Sequence, residues 1–358
     1  MDDTVDMLGE FPANLVTRIL DTVDSSKRND INLLLNYPDD SAGSIMTTEY
    51  VALKKDMTVR DAMRHIKEVG IHKETIYTCY VLERRKLIGI VTAKDLMTMD
   101  DDTKIGDIME TEIISVHTHT DQEEAARLFS KYDFLALPVL DADGLMVGII
   151  TVDDAIDVVV DEATEDMTVM AAVTPSEKSY FDTSVFAHAK NRFVWLLVLM
   201  FSATITGTII TRYENAFAAV PLLVSFIPML MDTGGNCGSQ SSTLIIRGLA
   251  LDEIKFKDIF RVIFKEFRIA LLVGIGLAIA NGIRIFIMYK DLKMAIVIAL
   301  SLSLIVIIAK IIGCTLPLFA KKLHMDPAIM ASPLITTVVD TCSIMIYFSI
   351  ATRVFTLS

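Results

Sequence analysis

From Phe193 to Ala351 the chain is dominated by apolar runs, and no other feature limits its fold as much. Crossing about 30 Å of hydrocarbon takes about 20 residues at 1.5 Å rise per residue. Five segments reach that length: Phe193–Thr211, Val220–Ile246, Ile269–Tyr289, Met294–Phe319 and Pro327–Ala351. The second half is therefore predicted to be an α-helical membrane domain of five transmembrane helices.

The short loops set its orientation. Arg247, Lys255, Lys257, Arg261, Lys265 and Arg268 fall between the second and third segments, and Lys321 and Lys322 between the fourth and fifth. The opposite side offers Arg212, Lys290, Lys293 and Arg353. Positive charge collects on the cytoplasmic side, so the N-terminus is expected in the cytoplasm and the C-terminus outside a plasma (bacterial inner) membrane. MDDTVDMLGEF lacks the basic and apolar parts of a secretory signal, which agrees with a cytoplasmic start. Arg284 and Lys310 lie toward segment ends and are predicted to snorkel.

The first half has a different character. Residues 1–180 hold 17 Lys and Arg against 36 Asp and Glu, a balance of −19, whereas residues 181–358 hold 16 against 10, a balance of +6. An acidic surface of this kind excludes nucleic acid, whose phosphates need Lys and Arg, and suits cations. Cys79, Cys237, Cys314 and Cys342 show neither CxxC spacing nor a nearby His, which rules out a zinc ribbon and predicts packing roles. No phosphate-loop lysine, nucleophile elbow or HExxH motif is present, so an enzyme is not expected.

Polar residues interrupt two of the apolar segments. In MDTGGNCGSQSST, Asn236, Gln240 and Thr243 are spaced i, i+4, i+7 on one helical face with Ser239 beside them. Gly234, Gly235 and Gly238 bare the backbone for close helix approach. In DPAIMASPLITTVVDTCSIMIYF, Asp326 is the expected cap and Pro327 the first helical residue. Ser332, Thr336 and Asp340 then recur at i, i+4, i+8, and Pro333 is expected to loosen the helix and free a carbonyl. A carboxylate midway along a membrane segment is costly and points to function. These two faces predict a cation path. Nothing soft lies on it except Cys237 and Cys342, and no His, which favours a hard ion over copper or zinc. A single Asp with amides and hydroxyls cannot strip Mg²⁺ of six waters, so that ion is expected to pass hydrated.

The first half contains a repeat. SIMTTEYVALKKDMTVRDAMRHI returns loosely as DIMETEIISVHTHTDQEEAARLF, and GIVTAKDL returns as GIITVDDA. Each copy reads as an extended lead-in, a helix, two short strands and a second helix. This pattern resembles a tandem pair of CBS domains, an α/β regulatory module. The resemblance implies an adenine nucleotide touching Thr92, Asp95, Thr151 and Asp154, although Thr and Asp at these places also suit helix N-caps. His117 and His119 share a strand face and fit a solvated pair better than a metal site.

Between the repeat and the first apolar segment lies VDDAIDVVVDEATEDMTVM. Asp153, Asp154, Asp157, Asp161, Glu162, Glu165 and Asp166 crowd fourteen residues, while Ile156, Val159, Val160, Ala163, Met167 and Met170 gather on another side. Like charges at i, i+4 weaken a helix by a few tenths of a kcal/mol per pair. With few basic residues to balance them, divalent cations are the favoured partners.

MDTGGNCGSQSSTLIIRGLA, DPAIMASPLITTVVDTCSIMIYF and EATED together resemble the MgtE family of magnesium channels over nearly the whole chain. The resemblance implies a homodimer in a lipid bilayer with a central pore and Mg²⁺ recognised at Asp340, while the CBS pair adds ATP as a candidate modulator. It also implies closure by cytosolic Mg²⁺ bound among Asp154, Asp157, Glu162, Glu165 and Asp166, and the candidate sensor set further takes in Asp121, Asp133 and Asp153. The expected division is a remnant helical N-domain at 1–42, a CBS pair at 43–104 and 105–158, a connecting helix and linker at 159–185, and the membrane domain at 186–358. Two departures stand out. The family pattern GGNxGNQ has Asn where this chain has Ser239, a shorter hydroxyl that alters the path. The family's helical N-domain is also larger, which implies weaker gating here. The alternative is a Na⁺- or H⁺-coupled transporter with Asp340 as the coupling carboxylate. A nucleotide-sensing receptor that conducts nothing is the other class of reading.

Overall fold

The computed structural model describes residues 2–9, 11–176, 179–214 and 220–356. The chain divides into two compact units, Met1–Ala163 and Thr164–Ser358.

The first unit opens with three short helices, α1 (Asp2–Gly9), α2 (Ala13–Leu20) and α3 (Ser25–Leu34). Their Leu8, Leu20, Ile31 and Leu34 join the core of the second repeat copy. The two copies then follow the same plan. The first runs β1 (Val51–Leu53), α4 (Val59–Val69), β2 (Thr78–Glu83), β3 (Lys86–Thr92) and α5 (Ala93–Thr98). After a short helix α6 (Ile105–Ile108), the second runs β4 (Val116–His117), α7 (Gln122–Tyr132), β5 (Ala136–Leu140), β6 (Met146–Thr151) and α8 (Val152–Met170). Each copy makes a three-stranded sheet in which the middle strand pairs parallel with the first and antiparallel with the third. Local chemistry starts the helices: Thr58 caps α4 by accepting from the Asp61 amide, and Asp121 caps α7 by accepting from the Glu123 and Glu124 amides.

The copies interlock by exchanging their lead-in segments. Thr47, ahead of β1, pairs with Ile149 of β6 through two backbone hydrogen bonds of 2.8 and 2.9 Å. Glu110, ahead of β4, pairs in the same way with Ile90 of β3, both at 2.9 Å. Met46 and Met109, the methionines shared by the repeated motif, press on Gly148 and Gly89 of those strands. A Cβ on Gly148 would stand 2.7 Å from Met46 Sδ and 2.8 Å from the Thr47 carbonyl oxygen, so only glycine fits. Tyr80, Ala136, Met146 and Ile149 seal the space between the sheets.

The second unit is built on long helices: α9 (Val185–Arg212), α10 (Ile227–Ala250), α11 (Ile259–Tyr289), α12 (Leu292–Lys322) and α13 (Ser332–Phe355). Among the described residues, four helices are long and apolar enough to cross a membrane: Val185–Arg212, Phe256–Tyr289, Leu292–Lys322 and Pro327–Phe355. The sequence reading gave five. The difference is α10, whose 24 residues carry Asp232, Asn236, Gln240 and a run of small polar residues. α12 is the enclosed centre of the unit, with Val297, Ile298, Leu302, Ile305, Val306 and Ala309 in its core. α9 has only Thr206 buried, and that residue shares a 2.8 Å hydroxyl–hydroxyl hydrogen bond with Thr341 of α13.

Two expectations about backbone and charge are corrected. Pro327 opens a 3-10 turn, Pro327–Met330, capped by Asp326, and the helix proper begins at Ser332. Pro333 therefore occupies the first turn of α13, where no amide hydrogen is required, and it does not loosen the helix. Lys310 does not snorkel. It is 5% exposed in the interior of α12, held there by a buried carboxylate described below.

Candidate functional site

α10 has two opposed faces. Gly234, Gly235, Cys237, Gly238, Ser241, Ser242 and Ile245 are buried, while Asp232, Asn236, Gln240 and Thr243 are exposed. The i, i+4, i+8 recurrence of polar side chains thus produces one continuous polar strip on a helix packed among apolar neighbours. Ser239 is half-buried at the edge of that strip.

The glycines bring α13 alongside. Cβ atoms on Gly235, Gly238 and Gly234 would meet Thr336, Ile335 and Val339 at 2.9, 2.7 and 3.0 Å, so α13 lies against bare backbone. The two helices run antiparallel, because the α10 positions rise as the α13 positions fall. Thr336 donates to the Pro333 carbonyl at 3.0 Å, which turns its hydroxyl toward its own helix. Asp340, half-buried, follows one turn later and comes within Coulombic reach of Asp232. The structure therefore places Asn236 and Gln240 on one helix and Thr336 and Asp340 on the helix packed beside it. The side chain of Ser332 lies outside the described residues.

Sequence reasoning missed Asp232. Its signal was available, four residues before Asn236 in an apolar helix. The two carboxylates and the amides offer oxygen atoms, the donors that hard cations take.

The acidic residues of α8 are spread along one helix. Asp153, Asp157, Asp161 and Glu165 are exposed, and Asp154, Glu162 and Asp166 are half-buried. Asp154 bonds Thr151 at the start of α8, and Glu162 accepts from Gln122 Nε2 at 2.9 Å. Asp121 is occupied as the α7 cap, and Asp133 ends that helix in a left-handed conformation (φ 55°). Among the described residues, no three of His, Cys, Asp and Glu converge as a metal site. A cation on this surface would need further ligands from water or from another chain. The apolar side of α8 is open as well, with Ile156, Val159, Val160 and Met167 all exposed. In the second unit, Val169 and Met170 at its end pack on Ile246, Ala328 and Ala331, beside the start of α13.

A cavity of about 510 Å³ lies in the first unit, lined by Tyr77, Tyr80, Thr92, Lys94, Tyr132 and Phe134 among others. Tyr132 and Phe134 stack with ring centres 5.4 Å apart. Tyr80 Oη is buried without a hydrogen-bond partner, and burial raises its hydroxyl pKa above the usual range. Of the nucleotide candidates only Thr92 lines this cavity; Asp95, Thr151 and Asp154 do not. Thr92 and Asp95 form a capping box on α5, which accounts for their spacing without a ligand. Asp133 lies in the cavity wall. His117 and His119 are both exposed, and His117 Nδ1 faces the Asp141 carbonyl at 3.2 Å.

Comparison with known proteins follows the same division. The MgtE profile, described as a divalent cation transporter, matches residues 227–350. CBS-domain profiles match 42–101 and 105–161, and the profile for the MgtE intracellular N domain matches 1–40. The chain is 40% identical over 352 residues to the magnesium transporter MgtE of Bacillus subtilis (strain 168), covering 98% of this chain and 78% of that protein. It is 38% identical over 356 residues to the magnesium transporter MgtE of Thermus thermophilus, covering 98% and 79%. A crystal structure of the cytosolic domain of the Mg²⁺ channel MgtE in complex with ATP is 41% identical, with a TM-score of 0.43. That match covers 44% of this chain and 65% of the other.

Proposed function

The chain belongs to the MgtE family, and from that premise we propose that it carries Mg²⁺ across the cell membrane through the polar face of α10 and α13. As a member of that family it is a transporter and not an enzyme. The observation that carries the reading is that α10, with Asn236 and Gln240 on its exposed face, packs through its glycines against α13, the helix that carries Asp340.

Both α10 and α13 cross the membrane in this reading, which makes five spans. The strip on α10 is exposed in one protomer, as expected if a second copy faces it across an axis. Two Asp340 carboxylates would then match the charge of one Mg²⁺ ion, held through its waters. Passage runs down the electrochemical gradient, with no counter-ion required. Ser239, in place of the family's Asn, sets the rim of the path.

The first unit and the helix α8 that leads out of it regulate. When Mg²⁺ is scarce, the uncompensated carboxylates of α8 repel those of the facing chain. As Mg²⁺ rises it bridges Asp153, Asp157, Glu162, Glu165 and Asp166 to their counterparts, and the closed state gains. A ligand shifts such a balance only by its preference for one state. The packing of Val169 and Met170 near the start of α13 supports a mechanical link. ATP is the modulator best suited to the aromatic cavity, with a purine between Tyr77 and the Tyr132–Phe134 stack.

The test is Mg²⁺ entry into proteoliposomes with a trapped dye, in the absence of Na⁺ and pH gradients. Entry under these conditions supports a passive path, and entry only with an imposed gradient overturns it in favour of coupled transport. Internal Mg²⁺ should close the path, Glu165→Gln with Asp166→Asn should raise the closing concentration, and ATP should shift it. A path that internal Mg²⁺ leaves open, or a midpoint unchanged by both the double variant and ATP, contradicts the regulatory part.

A further inference from the structure

The buried side of α10 is tied down by charge. Glu266 of α11 is 6% exposed and Lys310 of α12 is 5% exposed, and their charged atoms lie 3.7 Å apart. Ser241 of α10 stands between them. Lys310 Nζ donates to Ser241 Oγ at 3.1 Å, and Ser241 Oγ donates to Glu266 Oε2 at 2.7 Å. The next residue, Ser242, donates to the Met330 carbonyl at 2.6 Å in the turn that leads into α13. Two consecutive serines thus connect one helix to three of its neighbours.

The ion pair has a specific consequence for the exposed face. α10 meets its neighbours through Gly234, Gly235 and Gly238, and at Gly313 a Cβ would run into the Gly238 backbone. Glycine contacts let the helices approach closely, and Leu230, Cys237, Ile245 and Leu249 pack into apolar core beside them. The Ser241 contacts add directional, charge-assisted bonds that hold one rotation of the helix. Gln240 precedes Ser241 directly and Asn236 lies one turn before Gln240, so any roll of α10 that releases Ser241 turns the polar strip relative to α13. An ionisable pair inside a membrane unit is costly, and removing one partner leaves a buried charge alone.

We propose that Glu266, Lys310 and Ser241 are positioning residues of the ion path, fixing the rotation of α10 and through it the selectivity among divalent cations. This rests on the functional reading above. It assigns the charged pair no contact with the passing ion.

The experiment compares the wild-type full chain with Ser241→Ala, Lys310→Arg and the double variant Glu266→Gln/Lys310→Met, all reconstituted. Uptake of Mg²⁺ and Ca²⁺ is measured over a range of concentrations, alongside labelling of Cys237 by a small thiol reagent. Cys237 is buried beside Asn236 and reports the setting of α10. In Ser241→Ala and the double variant, the half-saturating Mg²⁺ concentration should rise and the Mg²⁺/Ca²⁺ preference fall. Each change should be about threefold, the size of one interhelical hydrogen bond in a membrane. The maximal rate should move less, Cys237 should become reactive, and Lys310→Arg should behave as wild type. Unchanged selectivity, half-saturation and Cys237 labelling in folded Ser241→Ala overturn the proposal. If the wild type carries no Mg²⁺, the functional reading fails, and Cys237 labelling in Ser241→Ala still decides whether the triad holds α10.

Discussion

At the scale of single residues, environment decides what each side chain can do. Cys79 sits on β2 with its side chain fully buried, and burial pushes its thiol up to about 12. Thiolate is the reactive form, so Cys79 stays protonated and inert through the range where free cysteine titrates. At pH 8.5 a maleimide should leave Cys79 unlabelled in the folded chain and label it after unfolding, as read by peptide mass. Labelling of the folded chain at the rate of a free thiol would contradict this burial. The same scale shows what was legible. Asn236, Gln240 and Asp340 stand out in the sequence as polar side chains at helical spacing in an apolar run, and their part in an ion path is the proposal made above. Lys310 was misread, because its distance from a segment end suggested snorkelling. Its partner Glu266 is separated from it by an entire hairpin, and no one-dimensional spacing links them.

At the scale of elements, the repeat was legible but its interlocking was not. The motif IM appears twice with GI(V/I)T, and the repeat alone does not say which copy each Met packs into. In the structure Met46 packs on Gly148 of the second copy and Met109 on Gly89 of the first. Only pairing across the copies, Thr47 with Ile149 and Ile90 with Glu110, reveals this. The exchange predicts a specific weakness. Gly148→Ala places a methyl against Met46 and the Thr47 carbonyl, and overpacking of this kind costs about 1–3 kcal/mol. Thermal unfolding of the full chain should show that loss in the first unit's transition, and an unchanged transition would contradict the exchanged packing. α10 teaches a related lesson. Its apolar segment was long enough to be read as a span, yet its composition sets it apart from the four apolar helices of the same unit. Lipid contact selects for hydropathy, and a helix that lines a polar path is released from that selection on one face.

At the scale of the whole molecule, the sequence separates an acidic half from an apolar one, and the two structural units follow that division. Fold class and family were legible because composition, repeat and motifs agree along nearly the whole chain. The regulatory surface was less legible. Carboxylates crowd α8, but within one chain they do not gather into a metal site among the described residues. Charge density points to cations, whereas in the proposed reading the remaining ligands come from a facing chain, which no spacing within one sequence can display. The central claim is narrower, that ions pass along the α10–α13 face under the control of Asp340. Its most direct test is dye-reported Mg²⁺ entry into proteoliposomes for wild type and Asp340→Asn, without Na⁺ or pH gradients and with equal folded protein in each. Removing the carboxylate should reduce entry at least about tenfold, a loss of about 1.4 kcal/mol or more in ion recognition. Entry at the wild-type rate in folded Asp340→Asn would contradict the account.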